Sequence, residues 1–369
     1  MSYTPDIETF TKTYGEGISQ VVWTTLVADL ETPVSAMLKL ADGRANTFLL
    51  ESVEGGKVRG RFSIIGMNPD LIWKFSRKDV FINRKARTDS TAFEKISDTP
   101  IDSLRALISE SSIELPDGLP PMASGLFGYM GYDAVRLSEK IPDNNTDDLG
   151  VPDGLFLRPS LVCVFDRLED IVTIVTPVWP KVGVSAEAAY DAAAERLNAA
   201  VSDLQRSLPF RRERVDRDIA TCEPISNTSR EEFHEMVSRA KEYINAGDIF
   251  QVVPSQRFSI PFDLPPMALY RSLRRLNPSP YLFFFDFDEF AIVGSSPEIL
   301  VTLRDKTVTL RPLAGTRKRG NNTEEDKALA KELLEDPKER AEHLMLLDLG
   351  RNLSLIHISE PTRRTPISY

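Results

Sequence analysis

Residues 161–175, LVCVFDRLEDIVTIV, decide the architecture. Two apolar, β-branched runs, 161–165 and 171–175, flank the polar turn 166–170, a pattern that predicts an antiparallel hairpin with buried strands. Upstream, residues 71–75 and 79–83 form a second such pair across Ser76-Arg77-Lys78. Downstream, 280–287 pairs with 290–293, and 299–303 with 308–313. Residues 250–258 are expected as a further strand. Helical segments stand apart from these pairs. Residues 186–206 are rich in Ala, Leu, Glu and Gln. Ser229 and Glu232 make a capping-box signature, and Phe233, Met236, Val237, Ala240, Tyr243 and Ile244 follow at helical spacing up to a stop at Gly247. Segments 267–276, 324–334 and 338–348 complete the helices. Strand pairs with outlying helices and no βαβ alternation predict an α+β fold with a large antiparallel sheet.

Composition narrows the class. The 369 residues carry 45 Lys+Arg against 55 Asp+Glu, a net charge of −10, which argues against a nucleic-acid binder. No apolar run approaches a membrane span, and the first thirty residues contain Asp, Glu and Lys, so neither anchor nor signal peptide is expected. Cys163 and Cys222 are too few for a disulfide framework, and with three scattered His they give no zinc spacing. The expectation is a soluble, cytoplasmic enzyme. Residues 207–228, rich in Pro, Arg and Asp without apolar periodicity, read as a linker between parts 1–206 and 229–352, and Arg211–Arg214 within it as a solvated face.

Common catalytic signatures are absent: no phosphate loop, no GxSxG, no HExxH and no GxGxxG. The glycines of 125–132, GLFGYMGY, serve close backbone packing on this reading, and His234 lies off the apolar stripe of its helix, facing solvent. Three segments carry polar residues within apolar surroundings. Gly294-Ser295-Ser296-Pro297-Glu298 ends a strand in a turn with a carboxylate. In residues 311–317, RPLAGTR, a Gly-Thr pair suits an anionic ligand. Residues 336–343, DPKERAEH, open a helix on which Glu339 and Glu342 share one face. Such a pair is either a charged first turn favoured by the helix dipole or a hard-cation site, since Mg²⁺ takes one or two carboxylates.

Taken with residues 246–257 (AGDIFQVVPSQR), 49–52 (LLES) and 60–66 (GRFSIIG), these segments resemble anthranilate synthase component I, of the chorismate-binding enzymes, over nearly all of residues 1–352. The resemblance implies a fold of large antiparallel sheets packed as a sandwich with helices outside. It implies a lyase that turns chorismate and ammonia into anthranilate and pyruvate for tryptophan biosynthesis, with Mg²⁺ required. Ammonia comes from glutamine through a partner amidotransferase subunit, component II, making a heteromer. By the same resemblance Glu298 matches the carboxyl that assists hydroxyl departure, and Gly315 and Thr316 match chorismate contacts. Glu342 matches a Mg²⁺ ligand, with Glu339 its acidic neighbour. Glu51 and Ser52 with Pro280, Tyr281 and Leu282 match the tryptophan feedback pocket. Leu282 stands where the family often has Met, a swap that conserves volume.

Two positions choose among relatives. Ala314 lies where aminodeoxychorismate synthases place an attacking Lys, and no amine is present to attack. Gln251 lies where isochorismate and salicylate synthases place a Lys base for water; a neutral amide is no such base, and ammonia needs none. Both favour anthranilate synthase. Aminodeoxychorismate synthase component I, or a fragment that binds tryptophan and the amidotransferase without turnover, are the alternatives. Residues 353–369, LSLIHISEPTRRTPISY, have no periodic pattern and read as a non-native tail, in which His357 carries no weight. Family members continue beyond this point with further substrate and Mg²⁺ ligands, so the chain as written is expected to be inactive and to expose apolar surface.

Overall fold

The computed structural model describes residues 2–54, 58–208 and 223–355. In chain order, α1 (Ile7–Gly15), β1 (Gln20–Val27), α2 (Pro33–Leu40), β2 (Thr47–Glu54), β3 (Val58–Ser76), β4 (Asp79–Asn83) and β5 (Glu94–Ile96) come first. Then follow α3 (Pro100–Glu110), β6 (Phe127–Met130), β7 (Gly154–Asp166), β8 (Ile171–Val178) and α4 (Ala186–Gln205). The remainder holds β9 (Ile225–Ser226), α5 (Arg230–Ala246), β10 (Phe258–Ser259), α6 (Pro266–Leu276), β11 (Tyr281–Asp286) and β12 (Ala291–Ser296). It closes with β13 (Thr302–Arg304), β14 (Thr307–Thr309), α7 (Thr323–Glu335) and α8 (Pro337–Leu355).

Among the described residues ten strands form one antiparallel sheet, and β3 and β7 run through two limbs of it. In the first limb the order is β1-β8-β7-β3-β2-β11-β12. In the second, the far half of β3 pairs β4, which pairs β5, while the near half of β7 pairs β6. The limbs part where the β3–β7 register shifts between Pro69 and Leu71. The inner faces then close on one another. Phe48, Ile64, Val162, Val164 and Phe285 from the first limb meet Ile72, Leu155 and Leu157 from the second, and the Phe48 and Phe127 rings stack at 4.5 Å.

Helices cover the outer faces. Alternate residues Ile65, Met67, Leu161, Cys163 and Phe165 turn away from the sandwich interior and pack under α1, α2, α4 and α6. Leu71, Trp73 and Phe75 do the same under α3 through Leu107, and the Trp73 indole donates to Ser103 Oγ at 2.9 Å. The α+β sandwich with outer helices is therefore borne out, as one sheet doubled over. Residues 229–352 contribute to it directly, because β11 pairs β2 and Tyr270 of α6 packs in the helix-covered core.

The local readings fare differently. The hairpins at β3–β4, β7–β8 and β11–β12 form, as does the capping box at Ser229 and Glu232 of α5, which ends at Gly247 in the left-handed region. The hairpin of 299–313 is shorter, Thr302–Arg304 with Thr307–Thr309. The strand expected at 250–258 does not form: only Phe258–Ser259 finds a ladder partner, at Ile225–Ser226. Without a neighbouring strand to take its N–H and C=O groups, the rest stays irregular, with Phe250 and Val253 exposed. No side chain of α5 or α7 is buried, and Met236, Tyr243 and Ile244 of the expected apolar stripe face solvent, as His234 does. Helix α8 runs to Leu355, into the segment read as a tail. Residues 356–369 with His357, and 209–222 with the Arg211–Arg214 run and Cys222, lie outside the described residues.

The glycine-rich stretch packs closely at Gly128 and at Gly131, where a Cβ would stand 3.0 Å from the Asp153 carbonyl oxygen, but not at Gly125. Gly128 in β6 faces β7 so closely that a Cβ would stand 1.9 Å from the Leu155 carbonyl oxygen, a backbone atom that cannot swing aside. Gly128→Ala should therefore cost about 2 kcal/mol or more, read as a lowered urea midpoint, by prising β6 from the sandwich. A midpoint equal to wild type would show that this contact is not tight.

Candidate active site and effector pocket

Three separated segments come together beside α8. The turn after β12 places Glu298, exposed, with its Oε1 accepting from the Leu313 N–H at 3.0 Å. Ser296 Oγ donates to the Glu298 carbonyl at 3.1 Å and fixes the turn. From Leu313 the chain passes to Gly315, which holds φ +68°. A Cβ there would stand 2.6 Å from Glu339 Oε2 and 3.0 Å from Leu333 Cδ1, so a side chain would have to push those side-chain ends aside on a left-handed backbone that already favours glycine. Thr316 follows, exposed.

Arg317 locks the turn to the helix pair. Its guanidinium reaches Glu332 at 3.1 Å, Asp336 at 2.7 Å and Glu339 at 3.2 Å. The hydrogen bonds Arg317 donates to Glu332 first and to Glu339 second hold its cation above its ordinary pKa. Asp336 caps α8, accepting from the N–H groups of Lys338 at 2.9 Å and Glu339 at 3.3 Å. The Glu339 amide is the main cause of its lowered pKa. Glu342, half-buried one turn along, makes no ion pair among the described residues. No group of three or more metal-ligating side chains occurs among those residues. The donor set, two carboxylates one turn apart beside a backbone turn, is nevertheless the kind Mg²⁺ takes when other positions are left to ligand and water oxygens. Gln251 is exposed in the irregular 250–257 segment, with no hydrogen bond to this group among the described residues.

The second assembly lies across the β2–β11 pairing. Glu51 and Leu282 are register partners, both buried, with Pro280 and Tyr281 immediately before Leu282. Ser52 sits half-buried at the irregularity between Glu51 and Val53. The expected effector residues are thus neighbours. Around Glu51 are three donors the sequence reading did not name. Tyr270 Oη donates to Oε2 at 2.7 Å, Arg274 to both oxygens at 2.6 and 3.0 Å, and Arg167 to Oε1 at 2.6 Å. Burial first, and the Glu51 charge second, raise the Tyr270 phenol so that it remains a donor. Burial works against the Arg274 cation, but its bond to Glu51 prevails and raises it. Tyr270 and Arg274 stand four apart on α6, a spacing that places them on one face and would have signalled a pair. Arg167, in the turn after β7, gives no such signal.

The family model for chorismate binding enzymes matches residues 55–363. A protein from Cereibacter sphaeroides named anthranilate synthase component 1 is 56% identical over 345 residues, covering 94% of this chain and 69% of its own length. The chain belongs to the chorismate-binding enzymes, in the anthranilate synthase component 1 group. The Thermus thermophilus protein of that name is 43% identical over 89% of the chain and 66% of its own length. Anthranilate synthase component I from Streptococcus pneumoniae superposes with a TM-score of 0.64 at 34% identity, covering 79% of this chain and 61% of that one. The menaquinone-specific isochorismate synthase of Escherichia coli, at 15% identity and TM-score 0.53, shares the fold. The chain spans about two thirds of the length of these relatives. No helix among the described residues is long and apolar enough to cross a membrane.

Glu51→Gln should lower stability by about 3 kcal/mol in urea titration, because it leaves two guanidiniums facing a neutral amide in a buried site. A loss under about 1 kcal/mol would show that the cluster does not hold α6 to the sheet.

Proposed function

We propose that this chain is the chorismate-converting component of an anthranilate synthase, a lyase yielding anthranilate and pyruvate from chorismate and ammonia. The observation that carries the reading is the convergence of Glu298, the Gly315 turn and Glu339 of α8 within one hydrogen-bonded and ion-paired group. Family membership supports the substrate class. The relatives named as component 1 support a partner component II, an amidotransferase subunit delivering ammonia, and hence a cytoplasmic heteromer.

Each residue has a task the chemistry demands. The Glu298 carboxyl gives a proton to the hydroxyl that departs as ammonia adds across the diene. The Gly315 N–H and Thr316 hydroxyl hold a substrate carboxylate and set its orientation. Glu342, with Glu339, holds Mg²⁺, whose contribution when bound is to neutralise the substrate carboxylate. Arg317 positions Glu339 rather than touching substrate. Ala314 offers no amine and Gln251 no base, which favours ammonia addition over lysine attack or water activation. Tryptophan at Glu51, Ser52 and Pro280–Leu282 acts as feedback inhibitor, and the pairing of β2 with β11 supports this because the same strands lead to the Glu298 turn.

The test uses chorismate, ammonia and Mg²⁺ with anthranilate fluorescence as readout. The chain is assayed alone and joined to the segment by which the Cereibacter sphaeroides relative exceeds it. Ortho-amine product from the joined protein and none from the chain alone is the expected outcome. A para-amine product would instead assign aminodeoxychorismate synthesis, and tryptophan binding without product would assign a binding role. In the joined protein, Glu342→Gln should lose activity at least about a hundredfold with an unchanged thermal midpoint, through loss of a cation ligand. Activity within about twofold would remove Glu342 from the site. Ser52→Phe should relieve tryptophan inhibition and leave chorismate turnover nearly intact; unaltered inhibition would place the pocket elsewhere.

A further inference from the structure

A positively charged cleft lies away from both assemblies. Its walls are the turn after β4, the segment that follows β8 and the exposed side of α4. An open cavity of about 850 Å³ continues into a smaller one of about 230 Å³, and Asp70, Arg87, Trp179 and Lys181 line both. None of these residues belongs to the Glu298 group or the Glu51 cluster.

Its charge runs against that of the molecule. Within these two cavities Arg84, Lys85, Arg87, Arg158, Lys181 and Arg196 stand against two acids, Asp70 and Glu110, in a chain of net charge −10. Both acids are already engaged. Arg158 binds Asp70 in a fork at 2.8 and 2.9 Å, and Arg84 binds Glu110 in another at 2.6 and 2.8 Å. Arg158 also reaches Glu110 at 3.2 Å. Among the described residues, Lys85, Arg87, Lys181 and Arg196 make no ion pair. Arg196 spends one donor, Nε, on Thr176 Oγ1 at 2.7 Å. Burial first, and the charge of Arg87 second, draw its guanidinium down to about 10, against the opposing pull of Asp70 and Glu195. Arg87 and Arg196 also border an adjoining cavity that holds Glu195, Asp203 and Asp288, where Asp203 is taken by Arg44 and Arg206.

A second observation also points to a ligand. The indole N–H of Trp179, at the junction of the two cavities, is buried with no acceptor among the described residues. The face of that ring is occupied, with Arg158 Cζ 4.1 Å from its centroid. The smaller cavity adds an apolar wall from Val178, Val184, Ala188 and Ala189. A concave site with unspent guanidinium forks, an ammonium and an apolar floor suits a compact oxyanion carrying two or more charges. The acidic remainder of the surface repels long polyanions, so a small molecule fits better than nucleic acid.

We propose that this cleft binds a small multiply charged oxyanion, a phosphate ester or a polycarboxylate, gripped by Arg87, Arg196 and Lys181. The site is independent of the activity proposed above. Isothermal titration of the full chain with inorganic pyrophosphate and, separately, with citrate tests it and distinguishes the two sources of the oxyanion. One saturable site for at least one titrant is expected, weakened about tenfold or more in Arg87→Gln/Arg196→Gln and unchanged in Arg105→Gln, an exposed cation on α3. The same titrant should raise the thermal midpoint, and go on raising it with the logarithm of its concentration above Kd, and that rise should vanish in the double variant. If the double variant fails to fold, Lys181→Glu at the exposed mouth replaces it. No saturable heat with either titrant in the millimolar range overturns the proposal, as does equal affinity in the cleft variants or equal weakening in Arg105→Gln.

Discussion

One buried carboxylate ties the molecule together. Glu51 accepts hydrogen bonds from Arg167 after β7 and from Tyr270 and Arg274 on α6, elements more than a hundred residues apart. A charge buried to this degree is tolerable only when every oxygen is met by donors, which here come from three directions at once. The geometry of β2, α6 and the β7–β8 turn is thereby over-determined. Because β11 pairs β2 at this point, whatever is fixed at Glu51 is passed straight across β11 to Ser295 of β12, three residues before Glu298. The proposed effector pocket and the Glu298 turn stand at the same, open end of that hairpin, since Leu282 pairs with Glu51 on one side and Ser295 on the other.

The two assemblies differ in how they are held. Around Glu51 the partners are buried and the sheet supplies rigidity. Around Glu339 the order comes from one half-buried cation, Arg317, bridging three acids, and from a glycine turn pressed against the helix. Ion pairs at such exposure contribute little each, so the turn draws its definition from the whole group rather than from any member.

Much of the architecture was legible because its signals are local. The β-branched runs of β7 and β8, and the Ser229–Glu232 cap of α5, state their conformation in a few residues. Partner choice was not legible. Nothing in the alternation of residues 47–51 says that they meet 282–286, a pairing set by burial across more than two hundred residues. The strand expected at 250–258 shows the converse: β propensity without a neighbour gives no strand. At the candidate site the acids were visible as motifs, while Arg317, inside one of those motifs, was passed over as a bridge. Its role depends on the junction between α7 and α8, where Glu332, Asp336 and Glu339 come together.

The sharing of β3 between two limbs also bears on which length changes the chain can absorb. Side chains alternate strictly along a strand, so removing one residue from 62–67 would exchange Ile64 and Ile65 between the sandwich interior and the helix-covered face. In an ordinary hairpin such a slip stays within one pairing. Here it would propagate past Pro69 into the pairings with β4 and the near half of β7, so the frame of both limbs moves together. Insertions and deletions should therefore concentrate in the turns, and β3 and β7 should behave as spans of fixed length.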